Sequence, residues 1–170
     1  MKTTIFEELI NIRAETLKAF DGLTEELADR IPSGFRNNIR WQLGHIYFVM
    51  EYLATSQLKI PPLMPEGFTD RFVSGKSPLD DTYPASLPNP TLPELKTLLT
   101  EQLDRIREQY PMERLNESVA AIHTSTGLAL VSPEQALRYN LYHEGLHFGA
   151  LSIYKRLLSP LLQKREVTTQ

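Results

Sequence analysis

Apolar residues recur every three to four positions over four stretches free of proline beyond their first turn, and each stretch predicts an amphipathic helix. The first, Thr3 to Phe20, carries Ile5, Leu9, Ile12 and Thr16 on one stripe, widened by Phe6, Ile10, Leu17 and Phe20. Asp21-Gly22 ends it, and Thr24 is placed to cap a short extra turn, Glu25-Glu26-Leu27. The second, Ile39 to Gln57, follows an Asn37-Asn38 cap and is apolar on most of its circumference, from Ile39 and Trp41 to Tyr52 and Leu53. A helix apolar nearly all round is expected in the middle of the molecule. The third, Thr91 to Tyr110, aligns Leu92, Leu95, Leu99, Ile106 and Tyr110, with Leu103 beside them. Thr91 and Glu94 have the spacing of a capping box, and Pro93 falls in the first turn, where its missing N–H costs least. The fourth opens on Ser132-Pro133-Glu134-Gln135 and is expected to run to about Leu158, ahead of Pro160, leaving 161–170 as a frayed tail.

Most of the 12 prolines fall between Pro61 and Pro93. Four long helices and no convincing strand predict an all-α chain, a four-helix bundle with long connecting loops, as a single domain over 1–160. A short extended piece is expected, if anywhere, within 118–131. The connections over 58–89 and 111–131 are long for a simple bundle. Phe68, Phe72 and Leu79 among the prolines of the first predict an ordered lid. The chain shows no internal repeat and no low-complexity tract.

Its 170 residues suit one domain with a sizeable core. A net charge of -3 gives no electrostatic reason to expect nucleic acid. The chain has no cysteine, which excludes disulfides, iron–sulfur clusters, thiolate zinc sites and a cysteine nucleophile. Imidazole and oxygen are then the strong metal donors that remain. The first residues lack the apolar stretch of a secretory signal, and no run reaches the roughly 18 apolar residues of a spanning helix. A soluble cytoplasmic protein with no membrane partner is expected.

The four histidines are His45, His123, His143 and His147. His143 and His147 stand four apart inside the fourth predicted helix, which places two imidazoles on one face, one turn apart. Ala136, Ala150 and Tyr154 share that stripe, so the pair is expected to face inward, where two neutral rings need partners that a metal supplies. His45, in the middle of the second helix beside Gly44, is the best third ligand; Gly44 leaves room for another group to approach. His123 lies in a polar loop and is read as solvated. Three imidazoles from two helices leave an open coordination position, as catalytic rather than structural zinc sites do. Zinc and nickel both suit such ligands.

His143-Glu144-Gly145-Leu146-His147 also fits the H-E-x-x-H pattern of zinc proteases. The protease reading fails: Ala150 stands at the metzincin glycine, no histidine follows His147, and no strand offers an edge to a peptide. Glu144 and His147 make half of a di-iron E-x-x-H signature, but Gln42 and Ala120 stand where a second copy needs glutamate. Glu144 is weighed as a general base against a solvated or ion-paired glutamate, with the second reading preferred. Gln42 and Asn140, about one turn before His45 and His143, are candidates to orient the ligands. No catalytic residue is assigned.

The segment Asn38-Ile39-Arg40-Trp41-Gln42-Leu43-Gly44-His45-Ile46, and Tyr142 to Leu151 around the histidine pair, resemble the second- and last-helix segments of the DinB-like (DinB/YfiT-like) superfamily of bacterial helical metalloproteins. Pro65 to Phe72 with Gly75 resembles the connecting loop of one branch, and the resemblance covers essentially the whole chain. Ala150 departs from it, standing where a glutamine is often seen. The resemblance implies a four-helix bundle, often a homodimer, with a three-histidine site for zinc, nickel or a similar divalent ion. It also implies small-molecule chemistry, of transferases and isomerases that use a low-molecular-weight thiol as cosubstrate; together with the open three-histidine site, the expectation is a metal-dependent thiol transferase or a hydrolase. The alternatives are a non-catalytic bundle in which the metal is structural or sensed, and, last, a metal-free interaction module.

Overall fold

The structure is a computed structural model that describes residues 4–84 and 87–168, with side chains described through Ser159. It is mostly helical. Four long helices dominate: α1 (Ile5–Leu17), α3 (Ile39–Leu53), α5 (Leu92–Gln109) and α6 (Pro133–Thr168). Two short ones, α2 (Glu25–Asp29) and α4 (Phe68–Phe72), sit in the connections. Helices α1 and α3 each pack against both α5 and α6.

The expected caps form. Asn38 Oδ1 accepts the Trp41 amide at 2.8 Å, and Thr24 caps α2 at Leu27. Thr91 and Glu94 close a reciprocal box, and Thr4 and Glu7 close a second one at the start of α1. The first expected helix is tighter at its end, where Lys18–Phe20 is a 3-10 turn. The second leaves α-helical geometry after Leu53. A π-helical turn over Ala54–Leu58 follows, and Lys59, with φ 59°, reverses the chain. A wide turn lets Gln57 point inward, where its Nε2 donates to the Ala120 carbonyl at 2.8 Å.

Two large apolar clusters fill the interior, one around Leu43, Ile46, Tyr47, Phe72, Leu95 and Leu151, the other around Phe6, Leu9, Met50, Ile106 and Leu137, and a small third joins Leu53, Leu130 and Ala136. Helix α3 contributes to both, as its nearly continuous apolar surface requires. Tyr52 departs from this pattern and is half exposed at the rim of a cleft. Helix α6 continues through Pro160 rather than ending before it. Proline removes one amide donor and can bend a helix without ending it. Thr169 and Gln170, the end of the expected tail, lie outside the described residues.

The 118–131 segment does hold an extended piece: β1 (Ile122–His123) pairs antiparallel with β2 (Ala129–Leu130). Gly127, at φ 83°, makes the turn. In the proline-rich connection Phe68 and Phe72 are buried, but Leu79 is exposed and does not join them. Among the described residues no helix is long and apolar enough to cross a membrane.

Candidate metal centre

Helix α3 carries His45 inward, and α6 brings His143 and His147 to meet it. His143 Nε2 lies 3.1 Å from His45 Nε2 and 3.1 Å from His147 Nε2. All three ligand nitrogens fall within 4.8 Å of one another. Nitrogens bound to one ion at ~2.1 Å stand roughly 3.0 Å apart at right angles and roughly 3.4 Å apart in a tetrahedron. The two short separations lie in that range.

The surroundings decide which nitrogens face each other. His45 Nδ1 is 2.5 Å from the Phe72 carbonyl, which can only accept, so Nδ1 carries the proton. His147 Nδ1 meets Gln42 Oε1 in a short hydrogen bond that fixes its proton in the same way. Gln42 is itself anchored, its Nε2 donating to the Tyr154 hydroxyl at 3.4 Å. The Nε2 atoms of His45 and His147 are therefore bare lone pairs aimed at His143. A proton on His143 Nε2 could answer one of them at a time; a cation answers all three lone pairs together. The residues fit a metal ion on that ground.

Burial and neighbouring imidazoles keep the rings in their ligand form. Burial first, then His45, pushes His143 down to about 3; burial, then His143 and His45, pushes His147 down to about 2. His45 is lowered by burial as well, against the opposing pull of the Phe72 carbonyl. Trp41 holds the His45 ring from one side, stacked at 4.6 Å, and its own Nε1 donates to the Arg71 carbonyl at 2.8 Å.

Of the two residues expected to orient ligands, Gln42 does so and Asn140 does not. Asn140 is fully buried, yet neither atom of its amide has a hydrogen-bond partner among the described residues. Glu144 is not beside the imidazoles' open side. It turns toward α1 and is held by Arg13, Nε to Oε1 at 2.7 Å and Nη2 to Oε2 at 3.0 Å, with both side chains buried. The ion-paired reading of Glu144 is the one the geometry bears out. Arg13 also donates to the Leu99 carbonyl at 2.7 Å and to Gln102 Oε1 at 3.2 Å.

A cleft of about 330 Å³ opens against His45 and His143, walled by α3, α6, the β1–β2 ribbon and Val73-Ser74. His123 lines it from β1. His123 is exposed, as expected for a solvated residue, but its place on the cleft wall was not legible in the sequence; only the pairing of two very short strands puts it there. The Phe72 carbonyl has no sequence signal either, because any residue offers a carbonyl. A larger cavity, about 560 Å³, lies at the start of α5 beside Phe68 and Arg71, and none of the three histidines lines it.

A mostly helical chain that gathers three imidazoles from two helices beside an open cleft is a helical protein with a candidate mononuclear metal site. The chain belongs to the DinB superfamily, whose model matches residues 8–151. It is similar in fold to the crystal structure of a conserved protein from Enterococcus faecalis, with a TM-score of 0.66 at 15% identity over 94% of this chain and 99% of that one. No curated protein matches the sequence.

Proposed function

We propose that this chain is a metal-dependent enzyme in which His45, His143 and His147 hold one divalent ion, zinc or nickel, within a four-helix bundle formed by α1, α3, α5 and α6. The observation that carries the reading is the convergence of three Nε2 atoms, two with their protons held on the far side of the ring, at the end of a cleft. Three protein ligands leave at least one coordination position open to a small molecule. A divalent ion there supplies Lewis acidity, lowering the pKa of a thiol or a water toward neutrality. The chain's own part is to keep the ligands neutral, to orient them through Gln42 and the Phe72 carbonyl, and to present one open face to the cleft. Transfer of a low-molecular-weight thiol to an electrophile, or hydrolysis, fits that division of labour.

The test is elemental analysis of untagged protein purified without a nickel column, for the parent and for His45→Ala and His147→Ala. About one ion per chain in the parent, lost in both variants, is the expected result, followed by turnover in a panel of thiols, electrophiles and esters. Parent protein that refuses added zinc and nickel would remove the site; a loaded protein inert across the panel would remove the enzyme.

A structural ion is the second reading, favoured by the fact that the ligands join two helices that already pack together. Chelation separates the two. A structural ion should lower Tm strongly when removed, whereas a catalytic one should leave the chain folded and inactive.

A further inference from the structure

Charged residues make up 23% of the chain, yet no Asp, Glu, Lys or Arg lines the cleft beside His45 and His143 among the described residues. Its wall is instead apolar and aromatic. Helix α3 turns Phe48, Val49 and Tyr52 into it on the same face as His45, so a molecule lying along that face has one end at the imidazoles. The Phe48 and Tyr52 rings stack at 6.5 Å with 15° between their planes. From the opposite side Tyr139 brings its ring to 6.0 Å from that of His143, and Leu130 closes the wall from β2. The polar groups, Ser74, Thr124, Ser125 and the exposed imidazole of His123, belong to the loop and ribbon side of the cleft, across from Phe48, Val49 and Tyr52.

From this wall we infer that the cleft binds a compact, uncharged organic molecule with an aromatic or branched-alkyl body and one oxygen or sulfur donor turned toward His45 and His143. This rests on the metal reading above and narrows it. A carboxylate or ammonium on the body of the molecule, placed against Phe48, Val49 and Leu130 and away from the ion, loses its hydration and meets no Asp, Glu, Lys or Arg to pair with. An aromatic body gains both apolar burial and ring contacts. A volume of about 330 Å³ is at the small end of ligand pockets, which run from about 300 to 1,000 Å³. Thiols that carry carboxylates find no Lys or Arg along the Phe48–Val49–Tyr52 wall, so that wall receives the electrophile or ester, and the charged end of an anionic thiol stays outside it.

Cobalt(II)-loaded protein provides a readout that needs no turnover, because the visible absorption of the ion reports both loading and occupation of its open position. Three probes are titrated: acetohydroxamic acid, benzohydroxamic acid and 3-carboxybenzohydroxamic acid, which share the donor and differ in body and charge. Benzohydroxamic acid is expected to bind at least about tenfold more tightly than either of the others. Val49→Glu should weaken benzohydroxamic acid by at least about tenfold while acetohydroxamic acid, which reaches only the ion, changes little. Cobalt uptake with equal affinity for the three probes, or preference for the carboxylated one, would overturn the inference and leave the metal reading standing. A chain that takes up no cobalt would remove both. If Val49→Glu fails to fold, judged by its far-UV spectrum, the ranking of the three probes on the parent decides alone.

Discussion

The ring of Phe72 lies against the bare Cα of Gly44, only 2.5 Å from where a Cβ would stand, while the carbonyl of the same Phe72 accepts the Nδ1 proton of the next residue, His45. One contact thus seats the proline-rich connection on α3 and orients a ligand. Phe72 is fully buried, so its ring has little room to move aside. Gly44→Ala should cost roughly 1–3 kcal/mol in urea unfolding, as overpacking does, and should weaken zinc binding by displacing the carbonyl. Parent-like stability and affinity in this variant would show that the connection does not position His45.

Gln42 touches no metal position; it acts by fixing the proton of His147. Gln42→Met keeps the bulk and removes the acceptor. Zinc affinity, measured by competition with a chromophoric chelator, should fall about 10- to 100-fold with the helical spectrum unchanged. An unaltered affinity would mean that the His147 tautomer is set by something else.

The Arg13–Glu144 pair is buried and bidentate, and each charge depends on the other. Arg13→Met should destabilise the protein by roughly 3–5 kcal/mol, because it strands a buried carboxylate. The double variant Arg13→Met/Glu144→Leu should recover most of that loss and still bind one metal ion. Loss of the ion in a folded double variant would tie Glu144 to the imidazoles after all.

Acidification should unfold the metal-free chain through the same histidines. His143 and His147 stay neutral in the fold down to about 3 and about 2, whereas an unfolded histidine titrates near 6.5. Between those values the unfolded chain binds protons that the folded chain does not, so stability falls as pH drops below about 6.5. The slope is at most ~1.4 kcal/mol per pH unit for each histidine. Urea midpoints at several pH values should show it, and His143→Leu/His147→Leu should flatten it. Equal slopes in parent and variant would place the acid sensitivity elsewhere.

Local signals, each readable within one helical turn, were legible along the chain. The caps at Thr24, Asn38 and Thr91, the apolar stripe of α5 and the four-residue spacing of His143 and His147 depend only on neighbours in sequence. That His45 completes the trio was legible as well, because a histidine on a nearly all-apolar helix must face inward. What only the tertiary structure decided are the partners across space. The burial of Arg13 on an otherwise apolar stripe makes sense only once Glu144 stands opposite it on α6. The tautomers of His45 and His147 depend on a backbone carbonyl and an amide brought by chain folding. The cleft wall joins α3, α6 and a two-residue ribbon, and no pattern in one segment encodes which face of another it will meet. Helical periodicity is a property of adjacent residues; the choice of which buried polar group satisfies which other is made by packing.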